Sequence, residues 1–188
     1  MPATGEPIRV VHAGAGRADR FLELLIEAVA ALPGRYSLDM YLTENSPDYF
    51  QRLQESVAQI PNVRVLPALP YQQLIPTLNR YDLGIHNLPP VNFNNRYALP
   101  NKFFDFVQAR IGMVVGPSPE MVSRLERYGL GRAAADFTAA ALRAALEETT
   151  PAEVAAWKQN AAACARELSS ENVVTLWKDA VEAIGQGR

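Results

Sequence analysis

Ile8-Arg9-Val10-Val11-His12-Ala13 is a short apolar run that stops at Gly14 and Gly16, and it reads as a buried strand. Phe21, Leu24, Leu25, Ala28, Val29 and Leu32 then recur at helical spacing until Pro33-Gly34 stops them. Working outward, Tyr36 to Leu42 is a second strand, 47–59 a helix closed by Pro61, and Val63-Arg64-Val65-Leu66 a third strand. A helix near 71–79 leads to a fourth strand, Tyr81-Asp82-Leu83-Gly84-Ile85-His86. A long loop, 87–99, precedes a helix at about 100–110 and a fifth strand, Gly112-Met113-Val114-Val115-Gly116. Ser118-Pro119-Glu120 is a helix start with proline at the first helical position. A short strand is expected near 132–136, and about 138–185 is helical and rich in alanine. Strands alternating with helices of this length pair in parallel through right-handed crossovers. The expectation is an α/β fold: a doubly wound, Rossmann-like parallel sheet of about six strands with C-terminal helices. One domain is expected over 1–188, with a core of about 8–150 and a helical segment of about 151–186.

The bulk numbers exclude several classes. A formal net charge of −2 over 188 residues lacks the basic excess of a nucleic-acid surface. No apolar run approaches the ~20 residues that span a bilayer, and Met1-Pro2-Ala3-Thr4-Gly5-Glu6-Pro7 has no apolar signal core. Cys164 is the single cysteine, so an internal disulfide or cysteine metal cluster is excluded, and His12 and His86 are the only histidines. The expected setting is the cytoplasm, and no metal site is expected.

Open parallel sheets bind ligands outside the carboxyl ends of their strands, where the strand order reverses. Asp82 opens its strand and so lies at the wrong end, in a structural role. The loops at the right end hold 14–20, 67–70 and 87–102. Gly14-Ala15-Gly16-Arg17-Ala18-Asp19 starts like a dinucleotide fingerprint but carries Asp19 where the third glycine belongs. Arg17 and Arg20 fall in or before the first turn of a helix, where the macrodipole disfavours cations by ~0.3–1 kcal/mol. Either they are simply solvated, or an anion occupies the helix start. Pro100 suits a first helical position, which puts Lys102 in the same predicament. Two cations at two helix starts on one sheet edge suit a diphosphate. Asn101, Asp105 and Gln108 form one polar stripe on the helix after Pro100, either a solvated face or a ribose contact through Asp105. His12 reads as a packed histidine, His86 as packed or as a substrate contact, and Trp157 and Trp177 as packing residues rather than a partner surface.

Leu99-Pro100-Asn101-Lys102-Phe103-Phe104-Asp105-Phe106-Val107 resembles the Pro-Asn-Lys-Leu-(Phe)-Glu-Tyr segment in the carboxy-terminal, nucleotide-sugar donor domain of GT-B fold, group 1-type retaining glycosyltransferases. His12-Ala13-Gly14, Ile26-Glu27-Ala28, Asn62-Val63-Arg64-Val65, Asp82-Leu83-Gly84-Ile85 and Gly112-Met113-Val114-Val115 are similar in order and spacing, over about 8–183. The resemblance implies a polysaccharide or glycan enzyme that binds a nucleotide-diphosphate sugar as substrate, with no further cofactor. It implies Arg20, then Arg17, with Gly14, Gly16, Asn101 and Lys102 at the diphosphate, Asp105 at the ribose, and the main chain of Leu66 and Ala68 beside the base. His86 and Tyr97 would lie near the sugar. The family's second carboxylate, expected eight residues before Asp105, is replaced by Tyr97. No catalytic residue is assigned. The family's amino-terminal acceptor domain has no counterpart here, so it is expected in the same protein or in a separate chain, where it could also reach the inner membrane face.

Two other classes compete. A non-catalytic nucleotide-sugar binding module is compatible with the replaced carboxylate. A nicotinamide-dependent oxidoreductase would need an acidic residue ~20 residues beyond its glycines, and Glu44, 30 residues beyond Gly14, is too far.

Overall fold

The structure, a computed structural model, describes residues 7–185. Strand β1 (Ile8–Ala15) is followed by a 3-10 turn (Ala18–Arg20) and helix α1 (Glu23–Ala30). Then come β2 (Tyr36–Thr43), α2 (Pro47–Val57), β3 (Val63–Pro67), α3 (Tyr71–Leu78), β4 (Leu83–His86), α4 (Phe93–Arg96) and α5 (Asn101–Gln108). The chain continues through β5 (Gly112–Val115), α6 (Pro119–Tyr128), β6 (Gly131–Ala133), α7 (Ala139–Glu148), α8 (Pro151–Cys164) and α9 (Ser170–Gly185).

The strands form one parallel sheet in the order β3-β2-β1-β4-β5-β6. The order reverses between β1 and β4, which opens a crevice at their carboxyl ends. Side chains alternate across the sheet. Ile8 and Val10 join α1, α2 and α7 in one core layer, while Val11 faces Leu78, Phe103, Phe106 and Val107 in the other. The strands therefore read as near-continuous apolar runs because both faces are covered.

Several boundaries differ from expectation. Asp82 lies just ahead of β4, where its carboxylate accepts from the Arg9 backbone N–H at 3.0 Å and from Lys158 at 3.2 Å, the structural role expected of it. The loop after β4 contains the short helix α4, because Asn92 caps it by accepting from the Asn95 N–H. The sixth strand starts earlier than expected, at Gly131, where a Cβ would stand 1.8 Å from the Met113 carbonyl oxygen; only glycine allows that approach. The helical tail breaks at Thr150, which forms a reciprocal capping box with Glu153. Helix α8 is part of the core, with Val154, Trp157, Ala161 and Cys164 buried. Trp177 is a correction: it is 69% exposed on α9, with Val174, Val181 and Ile184 also exposed. These side chains have no covering element among the described residues. No described helix is long and apolar enough to cross a membrane.

Candidate functional site

The crevice between β1 and β4 gathers His12, Gly14, His86 and Lys102. His12 is buried near the end of β1, and its Nδ1 lies 2.9 Å from the Ile85 carbonyl oxygen. A carbonyl can only accept, so Nδ1 carries the proton and Nε2 is left as an acceptor. His86, at the end of β4, stacks on His12 with ring centroids 6.0 Å apart, and neither of its nitrogens has a partner. Burial and the Lys102 charge push His12 down to about 3 and hold His86 well below the ordinary histidine value. Both rings are therefore neutral at pH 7.

Lys102 is the second residue of α5, so its cation does stand in the first turn of a helix. Pro100 is the N-cap, not the first helical residue, because its extended backbone (φ −73°, ψ 153°) precedes the helix. The lysine lies across the strand end: Nζ is 2.8 Å, and His12 Nε2 3.4 Å, from the place where a Cβ on Gly14 would be. A side chain at Gly14 would occupy the position of the ammonium. Burial, and secondarily the Arg20 charge, lower Lys102 to about 8, while the nearby Asp105 opposes this. Lys102 makes no ion pair within 4.0 Å among the described residues, and burial raises the Asp105 carboxyl. Two cations, Lys102 and Arg20, thus stand beside neutral histidines with Asp105 as the opposing charge.

The other expected residues divide. Arg20 is partly buried and its charge acts on both Lys102 and His86. Its position is not the one expected. The 3-10 turn ends at Arg20, Phe21 takes a left-handed conformation (φ 51°, ψ 44°), and α1 begins only at Glu23. Neither arginine therefore opposes the α1 dipole. Arg17 is exposed and donates from Nε and Nη2 to both oxygens of Asp19, at 3.1 and 3.0 Å, which spends its charge locally. Gly16 is needed for a different reason, since a Cβ there would meet the Thr43 carbonyl oxygen at 2.6 Å.

On α5 the polar stripe splits. Asn101 is exposed and Asp105 half-buried, but Gln108 donates to the Ala165 carbonyl at 2.8 Å and ties α5 to the end of α8. Leu66 is partly buried at the end of β3 and Ala68 exposed beyond it, two strands from His12 across the sheet. Tyr97 is 45% exposed and packs on Phe93 at 5.0 Å between centroids, with the Arg96 guanidinium over its ring. Two residues escaped the sequence reading. Asn87 Oδ1 and Ser118 Oγ are buried without partners at the ends of β4 and β5. Their signal was position: Asn87 directly follows β4, and Ser118 caps α6 three residues after β5, both at the ligand-binding end. Among the described residues no group of three or more His, Cys, Asp or Glu side chains is placed to hold a metal ion.

No family model matches the sequence, and no curated protein matches it. Solved structures do. HepE of Anabaena, solved in complex with UDP and glucose, is 17% identical with a TM-score of 0.71, over 96% of this chain and 48% of that one. A glycosyltransferase of Rickettsia africae is 14% identical with a TM-score of 0.74, over 97% and 48%. WaaG, a glycosyltransferase involved in lipopolysaccharide biosynthesis, is 16% identical with a TM-score of 0.65, over 86% and 43%. At these identities the likeness shows the fold, which is that of the carboxy-terminal-type domain of GT-B glycosyltransferases. The chain spans about half the length of these solved chains, or less.

Proposed function

We propose that this chain binds a nucleotide-diphosphate sugar in the crevice between β1 and β4, as the donor half of a glycosyltransferase that passes the sugar to an acceptor hydroxyl. One observation carries the reading: the Lys102 ammonium lies against Gly14 beside two neutral, buried histidines, with Arg20 as its charged neighbour and no ion-paired carboxylate. A diphosphate supplies the missing negative charge. HepE has been solved with UDP-glucose, which supports a ligand of this class for this fold.

In this reading Lys102 and Arg20 bind the phosphates, Asn101 and the α5 amino terminus assist, and Gly14 and Gly16 keep the strand end open. Arg17 joins only by leaving Asp19. Asp105 accepts hydrogen bonds from the ribose diol, and the main chain at Leu66 and Ala68 meets the base. His86, and Tyr97 from the lip, stand nearest the sugar. The site needs no cofactor beyond the donor. Transfer requires a second, acceptor-binding domain, in the same protein or in a partner.

Tyr97 favours a second reading, because an exposed aromatic ring stands where the family places a carboxylate. A module that holds the nucleotide sugar without transferring it would keep the cationic crevice and lose that carboxylate. Thermal shifts with UDP, GDP, ADP and their sugars test binding, since a ligand at 100 times its dissociation constant adds ~2.7 kcal/mol. No shift with any of them refutes both readings. Turnover by the complete two-domain protein separates them.

A further inference from the structure

Far from the crevice, at the amino ends of the strands, a second cationic site lies beside α3 on the Val11 side of the sheet. Arg9 on β1 stands in register with Ser37 on β2, and Arg64 on β3 in register with Asp39 on β2. These side chains share the Val11 side of the sheet by strand alternation. With Arg80, which follows α3, they line a cavity of about 230 Å³.

The charges there do not balance internally. Asp39 is buried and its acceptors are filled: Arg64 donates from Nε and Nη2 at 2.7 and 2.6 Å, and the Tyr81 hydroxyl at 2.6 Å. Tyr41 completes the chain by donating to the Tyr81 oxygen at 3.0 Å. One carboxylate thus neutralises one arginine. Asp82 is shared between Arg9, at 3.5 Å, and Lys158, at 3.2 Å. Arg80 makes no side-chain ion pair among the described residues. Arg64 retains Nη1 as a donor, and Arg9 is more than half exposed, so both can turn a guanidinium edge into the cavity. The Asp39–Tyr81–Tyr41 chain fixes the floor, and the arginines form the rim. Three arginines and Lys158 thus face two carboxylates, Asp39 and Asp82, an excess of positive charge at the cavity that a bound anion would offset. Guanidinium forks match tetrahedral oxyanions in shape as well as in charge.

We propose that Arg9, Arg64 and Arg80 form a second anion site, selective for a phosphate group and separate from the crevice. The group is either free phosphate or the phosphomonoester of a small organic molecule. Its position on the opposite strand ends places it outside the donor-binding region, so it serves recognition of a second phosphorylated ligand or control by phosphate.

The test is an NMR titration of the Lys102→Met protein, in which the crevice is disabled, with inorganic phosphate and separately with glycerol phosphate. Saturable shifts are expected at the Ser37, Thr77 and Arg80 amides. Arg80→Gln and Arg9→Gln should each weaken the binding by tenfold or more, the value of a charge-assisted hydrogen bond. Both replacements are at exposed or half-exposed side chains, and unchanged spectra elsewhere confirm the fold. Tighter binding of glycerol phosphate identifies an organic monoester, and equal binding identifies free phosphate. Absent shifts, or shifts that neither arginine variant weakens, overturn the site. The result does not depend on whether the crevice binds a nucleotide.

Discussion

Lys102 Nζ stands 2.8 Å from the point where a side chain on Gly14 would begin, so the strand end and the helix start share one space. Gly14→Ala should displace the ammonium, which is the far end of a flexible side chain, and leave the fold nearly as stable. Nucleoside-diphosphate affinity should fall about tenfold or more with the loss of one charge-assisted contact. Calorimetric titration of the variant checks this, and an unchanged affinity would show that the ammonium is not a ligand contact.

The stacked histidines predict acid sensitivity. Their folded pKa values lie below the unfolded value of ~6.5, so the unfolded chain takes up protons first as pH falls. Their contribution is complete above ~6.5 and is lost as pH drops towards 3. At pH 4.5 the burial of neutral His12 should destabilise the fold by ~2–3 kcal/mol, at ~1.4 kcal/mol per unit, and His86 should act in the same direction. Denaturant unfolding at pH 7 and pH 4.5 should show a smaller acid loss in His12→Asn and His86→Asn than in the parent protein. Equal losses in all three would contradict neutral burial.

Asp105 is half-buried and close enough to Lys102 for their charges to interact, on the helix that opens into the crevice. Asp105→Ala should weaken ribonucleotide binding more than binding of the 2′,3′-dideoxy analogues, by roughly tenfold. If both ligand types lose equally, Asp105 does not read the ribose.

A single sheet edge leaves a bound sugar facing solvent. Orienting an acceptor against the anomeric carbon can supply ~7–11 kcal/mol of a barrier, and the described residues present no second wall for that purpose. The chain by itself should bind donor without sustained transfer. A labelled donor and a broad acceptor panel test this, and transfer above slow hydrolysis would refute it.

The layered fold was legible because both faces of the sheet are covered, which leaves Ile8–Ala13 and Gly112–Val115 as largely apolar runs that each stop at a glycine. Lys102 was legible for a local reason: a cation two residues after a proline that starts a helix. The Arg17 and Arg20 argument failed because nothing local announces a left-handed Phe21, which ends the 3-10 turn before α1. Arg17 also pairs with Asp19, two residues away. Trp177 was misread because a large apolar residue on a helix does not announce whether another element covers it. The second arginine site was invisible in sequence, since Arg9, Arg64 and Arg80 meet only through strand register and the return of α3.

The most direct measurement is calorimetric titration of UDP into the parent protein and the Lys102→Met and Lys102→Arg variants at pH 7 and pH 9. A diphosphate favours the ammonium, which burial lowers to about 8, so parent affinity should fall on the order of tenfold at pH 9. Lys102→Arg keeps its charge throughout and should lose that pH dependence. Lys102→Met should bind at least tenfold more weakly at pH 7 while unfolding no earlier than the parent, because it removes a partly buried cation. Equal affinity of the parent and Lys102→Met at pH 7 would contradict the account.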